Sequence, residues 1–269
     1  RKMKQIIQNI RTGKTMLEQI PVPKLRKGTV LIKTTKTLVS SGTERMIVEF
    51  GKANLIKKLL LDTSRTREVI RSMHQKGLIN TLQAVSAKLD ERIVLGYSNV
   101  GVIIGVGEGI LDLKLGERVV SNGPHAVFVC IPRNLVAKIP LSVSDTDAAF
   151  TIMGAIALNG IRLLNPTLGE VVVVIGLGLL GLLTVKLLLI NGCKVIGIDK
   201  DPAQLAKAQA LGIICFDASD LNLEHAVQLQ TNNLGADGVI ITTSTQSNGL
   251  IPLACRMLKI RGTIVLVGV

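Results

Sequence analysis

Aromatic side chains are nearly missing from this 269-residue sequence, which has no tryptophan, one tyrosine (Tyr97) and four phenylalanines. A chain that is 47% hydrophobic must then build its cores from Val, Ile and Leu. That composition suits parallel strands buried on both faces by helices. The shortage of aromatics also bears on the net charge of +13. Without stacking residues or a nucleic-acid motif, the basic excess does not read as a DNA or RNA footprint, and no nucleic-acid partner is expected. The charge is lopsided: residues 1–92 hold 20 Lys or Arg against 7 acids, and residues 93–269 hold 12 against 12. Cysteines are few as well. Cys130, Cys193, Cys215 and Cys255 show no C-x-x-C spacing and read as separate thiols in a reducing cytoplasm, where the protein is expected. No apolar segment follows the basic N-terminus, so no signal peptide is read there. Val171 to Val185 is the most membrane-like run, but it contains three glycines and ends at Lys186, too short for a span. Arg1 precedes Met3, and the chain stops after the apolar run Thr263–Val269, as a piece of something longer would.

Periodicity divides the chain in two. Residues 3–10 and 14–20 alternate around Gly13 as a hairpin, and Thr29 to Leu38 reads as a strand after Lys27-Gly28. Residues 45–92 switch to helical spacing (Ile56, Leu59, Leu60; Val69, Ile70, Met73) with basic residues between. Short strands resume at Ser98–Val106, Arg118–Ser121, Ala126–Ile131 and Leu135–Ile139, with Gly105, Gly107, Gly109 and Gly116 as turn markers. After Pro140, Asp145–Leu164 reads as one helix with Ser144 as its N-cap. Strands and helices then alternate: Val171–Ile175, a helix to Asn191, Lys194–Ile198, a helix from Pro202, and strands near 213–216 and 238–242. A helix near 247–258 and a last strand, Thr263–Val269, complete the set. Alternation of this kind predicts a doubly wound parallel sheet.

One turn in that half carries chemistry. The stretch V-V-V-V-I-G-L-G-L-L-G sets Gly176, Gly178 and Gly181 in G-x-G-x-x-G spacing between a five-residue apolar strand and a helix. The first glycine permits the tight turn, the second lets backbone approach a pyrophosphate, and the third lets helix pack on strand. Leu177, Leu179 and Leu180 complete the turn, and the helix start offers free N–H groups to phosphate. The next strand ends in Asp199, 23 positions after Gly176, where an acid reaches a ribose 2′-hydroxyl. A carboxylate there repels a 2′-phosphate and favours NAD. Lys200 beside it softens that preference and keeps NADP in play.

With a β-rich part ahead of it, this turn resembles the medium-chain dehydrogenase/reductase family, the zinc-type alcohol and threonine dehydrogenases. The resembling segments are S-S-G-T-E at Ser40–Glu44, L-G-Y-S-N-V-G at Leu95–Gly101, V-G-E-G at Val106–Gly109 and L-G-E-R-V at Leu115–Val119. S-N-G-P-H-A at Ser121–Ala126 and the helical insertion are most similar to the N-terminal part of bi-domain oxidoreductases of polysaccharide biosynthesis. The resemblance implies a GroES-like β-domain over residues 1–149, with a helical insertion at about 45–92. It implies a Rossmann domain over 150–269, cut short at its C-terminal end, and a cleft between the two. Zinc members carry C-G-T-D and G-H-E segments. Here Ser41 stands at the cysteine position, Tyr97 at the histidine and Ser98 at the glutamate. No Cys, His, Asp or Glu lies between Phe150 and Asn165, where a third ligand is expected. Hydroxyls are poor zinc ligands, so neither a catalytic nor a structural zinc is expected.

Some other group must then polarise a carbonyl or take an alcohol proton. Thr43 matches the hydroxyl that relays a proton in many zinc members, although Met46 stands at the relay histidine's position. Glu44, Tyr97, Asn99 and His125 are the other polar candidates. Each has a plainer reading: Glu44 as an ion-pair partner of Arg45 or a lysine, Tyr97 as a half-buried core residue, and His125 as a structural histidine in a Gly-Pro-His turn. No partner acid for His125 is identifiable in the sequence. His74 and His225 read as solvated. The expected activity is zinc-independent, NAD(P)-dependent oxidation or reduction of a hydroxyl or carbonyl, on a sugar or nucleotide-sugar intermediate. The basic helices read as a solvated face, a cover that attracts an anionic sugar derivative, or a dock for a fused oxidoreductase domain. The alternative is a cofactor-binding scaffold without chemistry of its own, assisting such a partner. Dimerisation through the last Rossmann strand is left open.

Overall fold

A computed structural model describes residues 2–9, 12–40, 42, 44–46, 48, 92–243 and 249–267. The expected helical insertion therefore lies outside the described residues almost entirely. The chain divides into two compact units, Arg1–Thr151 and Ile152–Val269.

The first unit is antiparallel. β1 (Lys2–Asn9) pairs with β2 (Thr15–Pro21) and with β4 (Arg92–Val94). The 1–21 hairpin turns at Gly13, whose φ of +67° suits a residue without Cβ. A five-stranded sheet runs β7-β3-β5-β6-β8, built from β3 (Thr29–Thr37), β5 (Asn99–Val106), β6 (Arg118–Ser121), β7 (Phe128–Pro132) and β8 (Val136–Lys138). Its inward positions, among them Val30, Ile32, Ile103 and Val119, form one aliphatic core with Met3 and Ala126. Gly105 lies inside β5 rather than in a turn. A short helix, α1 (Asp145–Ala148), follows Ser144, whose Oγ accepts from the Asp147 N–H as an N-cap should. The Thr35 hydroxyl and the Arg118 guanidinium bond the Asp145 carboxylate and hold it below the usual carboxylate range. The helix expected over 145–164 breaks at Ala149–Phe150 and resumes as α2 (Thr151–Leu164).

The second unit is parallel and doubly wound. Its strands are β9 (Val171–Ile175), β10 (Lys194–Asp199), β11 (Ile214–Asp217), β12 (Ala236–Ile241) and β13 (Leu258–Leu266), in the order β11-β10-β9-β12-β13. Among the described residues four helices connect them: α3 (Leu179–Ile190), α4 (Pro202–Gln209), α5 (Leu223–Gln230) and α6 (Leu250–Met257). The reason β9 reads as an unbroken apolar run is visible in its burial. Val172 and Val174 belong to one core, Val173 and Ile175 to the other, and all four are buried. Burying each such side chain stabilises the fold by about 1.5–3 kcal/mol, so this strand is the keel of the unit. β13 begins at Leu258, five residues before the expected start. A register shift between Ala236 and Gly238 lets Leu258 pair with Ala236 ahead of the main run, and Arg261 there takes a φ of +69°. Among the described residues no helix is long and apolar enough to cross a membrane.

Candidate functional site

In an open α/β sheet, ligands bind beyond the carboxyl ends of the strands, where the strand order reverses. Here that point lies between β9 and β12, and the glycine turn follows β9 directly. Gly176 has a φ of +94°, and a Cβ on it would sit 2.8 Å from the Thr243 Cβ. Gly181, in the first turn of α3, packs so closely that a Cβ would fall 1.9 Å from the Gly176 carbonyl oxygen. Gly178 is different. It caps α3 with an extended backbone (φ −67°, ψ −167°), is exposed, and nothing lies within 4 Å of where its Cβ would be. Two glycines are therefore demanded by the protein itself, and the third faces open space at a helix N-terminus. That is the shape of an anion cradle.

The leucines of the turn divide the labour. Leu177 is fully buried and anchors the bend in the core, while Leu179 and Leu180 are half-buried at the start of α3. Asp199, the last residue of β10, is drawn onto the turn. Its Oδ2 accepts from the Leu177 N–H at 2.6 Å and its Oδ1 from the Asp201 N–H at 2.9 Å. The acid and the cradle are thus one hydrogen-bonded piece. Lys200 is exposed beside them.

Sequence reasoning missed one member of this site. The Thr242 hydroxyl, just beyond β12, donates to the Gly176 carbonyl at 2.6 Å and lies 3.3 Å from the Ile175 carbonyl. It locks the turn from the opposite side of the switch point. Two threonines closing a strand at that position were the available signal. Thr242→Val should loosen the turn and weaken dinucleotide binding about 5- to 10-fold, the worth of one net hydrogen bond of about 1–1.4 kcal/mol. Thr242→Ser should retain it, with affinity read by NADH fluorescence titration.

The first unit joins two of the sequence's polar candidates. His125 Nε2 lies 2.9 Å from Glu44 Oε2, and both residues are buried. Glu44 is fixed in turn: its Oε1 accepts from the Ser40 N–H at 2.8 Å, and its own N–H donates to the Ser40 carbonyl. The His125 backbone donates to the Leu95 carbonyl and accepts from the Ile6 N–H. Its ring leaves no room for a Cβ on Gly96, which would lie 2.6 Å from Cγ. A carboxylate beside Nε2 accepts from that nitrogen's N–H, and in a neutral imidazole Nδ1 is then the acceptor. Among the described residues that Nδ1 is buried without a hydrogen-bond partner.

The remaining candidates are placed less suggestively. Asn99 is fully buried, its amide donating to the Thr34 hydroxyl at 2.8 Å and accepting from Ser121. Tyr97 is half-buried, Met46 and His225 are exposed, and Thr43, Ser41 and His74 lie outside the described residues.

Comparison with known proteins adds to this geometry. A family model described as zinc-binding dehydrogenase matches residues 180–269. An alcohol dehydrogenase of Moraxella sp. (strain TAE123) is 27% identical over 81% of this chain and 74% of its own length. The D-guloside 3-dehydrogenase of Escherichia coli (strain K12) is 32% identical over 63% of this chain, which spans about half (49%) of that relative. The alcohol dehydrogenase TADH from Thermus sp. ATN1 superimposes with a TM-score of 0.77 at 21% identity, over 99% of this chain and 78% of that one. The chain is similar to dehydrogenases of the medium-chain dehydrogenase/reductase family, in sequence to the curated relatives and in fold to the solved structure.

Since the matching family model is described as zinc-binding, the metal question is then a question of donors. The Ser98 hydroxyl, at the family's glutamate position, is buried and donates to the Ala149 carbonyl at 2.6 Å. Position 97 offers a phenol in place of an imidazole. Among the described residues no three His, Cys, Asp or Glu side chains are grouped so as to hold a metal ion. The donors at these described positions do not fit zinc. The cradle at residues 176–181, by contrast, fits a dinucleotide.

Proposed function

We propose that the protein is an NAD(P)-dependent oxidoreductase that interconverts a hydroxyl and a carbonyl without zinc, preferring NAD and acting on a sugar or nucleotide-sugar derivative. The observation that carries the reading is the open approach to Gly178 at the N-terminus of α3, with Asp199 bonded to the same turn. When bound, the nicotinamide supplies or takes up the hydride. The chain's part is to hold and to move protons. Free amides at the start of α3 take the diphosphate, and the Asp199 carboxylate takes the adenosine ribose 2′-hydroxyl. The substrate oxygen exchanges its proton through His125 Nδ1, with Glu44 fixing the tautomer and the hydroxyls of Thr43 and Tyr97 as further candidates for the proton's path. A buried ring nitrogen with no partner among the described residues supports this role, because leaving one unsatisfied costs about 1–3 kcal/mol and calls for a use. Asn99, bonded on both ends of its amide, acts as a positioning residue. The sugar class is supported by the D-guloside 3-dehydrogenase relative.

Asp199→Ala tests the cofactor reading. Affinity for NADH should fall about 10- to 100-fold, the worth of a charge-assisted hydrogen bond, and affinity for NADPH by less, since only the loosened turn acts on it. An unchanged NADH-to-NADPH ratio would remove Asp199 from the site. Turnover of NAD with candidate nucleotide sugars by the full-length protein tests the chemistry. The unsuitability of Tyr97 and Ser98 as zinc donors also favours a second reading, a cofactor-binding scaffold for a fused oxidoreductase domain. It wins if NADH binds and variants at Thr43 and Tyr97 leave turnover intact while partner-domain variants abolish it.

A further inference from the structure

We infer that the first unit holds a second binding site, for a small amphiphilic anion: a carboxylate or phosphate carried on an apolar body. The site is a cavity of about 400 Å³ between the β1–β2 hairpin and the edge strand β7. That is within the range of small-molecule pockets, about 300–1,000 Å³. Its walls are mostly apolar, with Met3 and Ile20 from the hairpin and Phe128 and Ile131 from β7, and Gln5 and Thr29 as uncharged polar members. Its two charged lining residues are Lys24 and Arg26, both exposed and so at the mouth. Neither has a carboxylate partner among the described residues, whereas the adjacent Lys27 is paired with Glu108 at 3.0 Å. The segment bearing these cations is fixed rather than loose. Cys130 Sγ donates toward the Lys24 carbonyl at 3.5 Å, and the Thr29 hydroxyl donates to the Arg26 carbonyl at 2.8 Å.

The chemistry of the occupant follows from the lining. A bare inorganic anion would leave the apolar walls in contact with water, and a neutral hydrocarbon would leave two cations unanswered at the entrance. A molecule with an apolar body and one anionic end satisfies both. None of the residues of the glycine turn or of the Glu44–His125 pair lines this cavity, so the inference does not rest on the proposed reaction.

Phe128→Trp gives a direct test, since the chain has no tryptophan of its own and the new indole reports on the cavity wall. Decanoate and decyl phosphate, titrated below their micelle concentrations, should shift this emission saturably. A Leu229→Trp reporter on α5 in the other unit should stay silent. Adding Lys24→Ala and Arg26→Ala should raise both half-saturation concentrations about 10-fold, the loss expected on removing charge-assisted contacts, without changing the response to decanol. Binding of only one of the two anions identifies the headgroup class. No shift with either, an equal shift of the Leu229→Trp reporter, or anion binding that survives loss of both cations would overturn the proposal.

Discussion

Gly178→Ala should leave the protein folded and make it a poor dinucleotide binder, whereas Gly181→Ala should damage the fold itself. At Gly178 the backbone angles suit alanine and no atom lies within 4 Å of the added methyl. Stability should stay within about 0.5 kcal/mol of the parent, as for most surface changes. The methyl would, however, occupy the approach of the pyrophosphate. A loss of about 30-fold or more in NADH affinity, about 2 kcal/mol, is expected by fluorescence titration. At Gly181 the methyl meets the Gly176 carbonyl oxygen at 1.9 Å, a backbone atom that cannot swing aside. Overpacking of that kind costs about 3 kcal/mol, a fall in Tm of roughly 6–12 °C for a chain of this size. If Gly178→Ala binds NADH like the parent, the open side of the turn is not where the diphosphate sits, and the cofactor assignment fails.

The second large effect is expected at the buried pair. Glu44→Gln keeps the shape of the side chain but lets an amide N–H face His125 Nε2, which moves the ring proton to Nδ1. The acceptor then becomes a donor. Turnover should fall about 10²- to 10⁴-fold, the range of general acid–base contributions, with the Kd for NADH unchanged. Glu44→Asp should recover part of it by keeping the charge. His125→Gln should fall as far as Glu44→Gln, and the double variant no further, because the two act as one unit. A purely structural pair would give another pattern: a lower Tm for Glu44→Gln with kcat preserved. That outcome would return His125 to the role of a packed turn histidine.

The ease of finding the two sites in the sequence differs for a physical reason. The cofactor turn is local. An apolar run, three glycines and an acid at the end of the next strand lie within about 30 residues and announce a strand, a bend and a helix in order. Val171–Ile175 has the ends its sequence predicts because both its faces are buried, which no other neighbouring residues could provide. The Glu44–His125 bond joins residues 81 positions apart, and nothing local at either one marks the other. Without the fold, His125 had no visible acid and Glu44 had several nearer cations to choose from. Thr242 resembles the second case: it lies 66 positions from Gly176, and only the fold brings its hydroxyl to that carbonyl. The break at Ala149–Phe150 and the early start of β13 were hidden because each is set by tertiary packing and register rather than by periodicity.

The bonds that tie Leu177 to Asp199 and Gly176 to Thr242 have a kinetic consequence. A receptor already knotted into shape has no loop left to order when its guest arrives, so little entropy is lost on the protein side. Arrival should then be fast and nearly the same for related guests. Discrimination among dinucleotides should be written in residence time, with the wrong one leaving sooner rather than entering later.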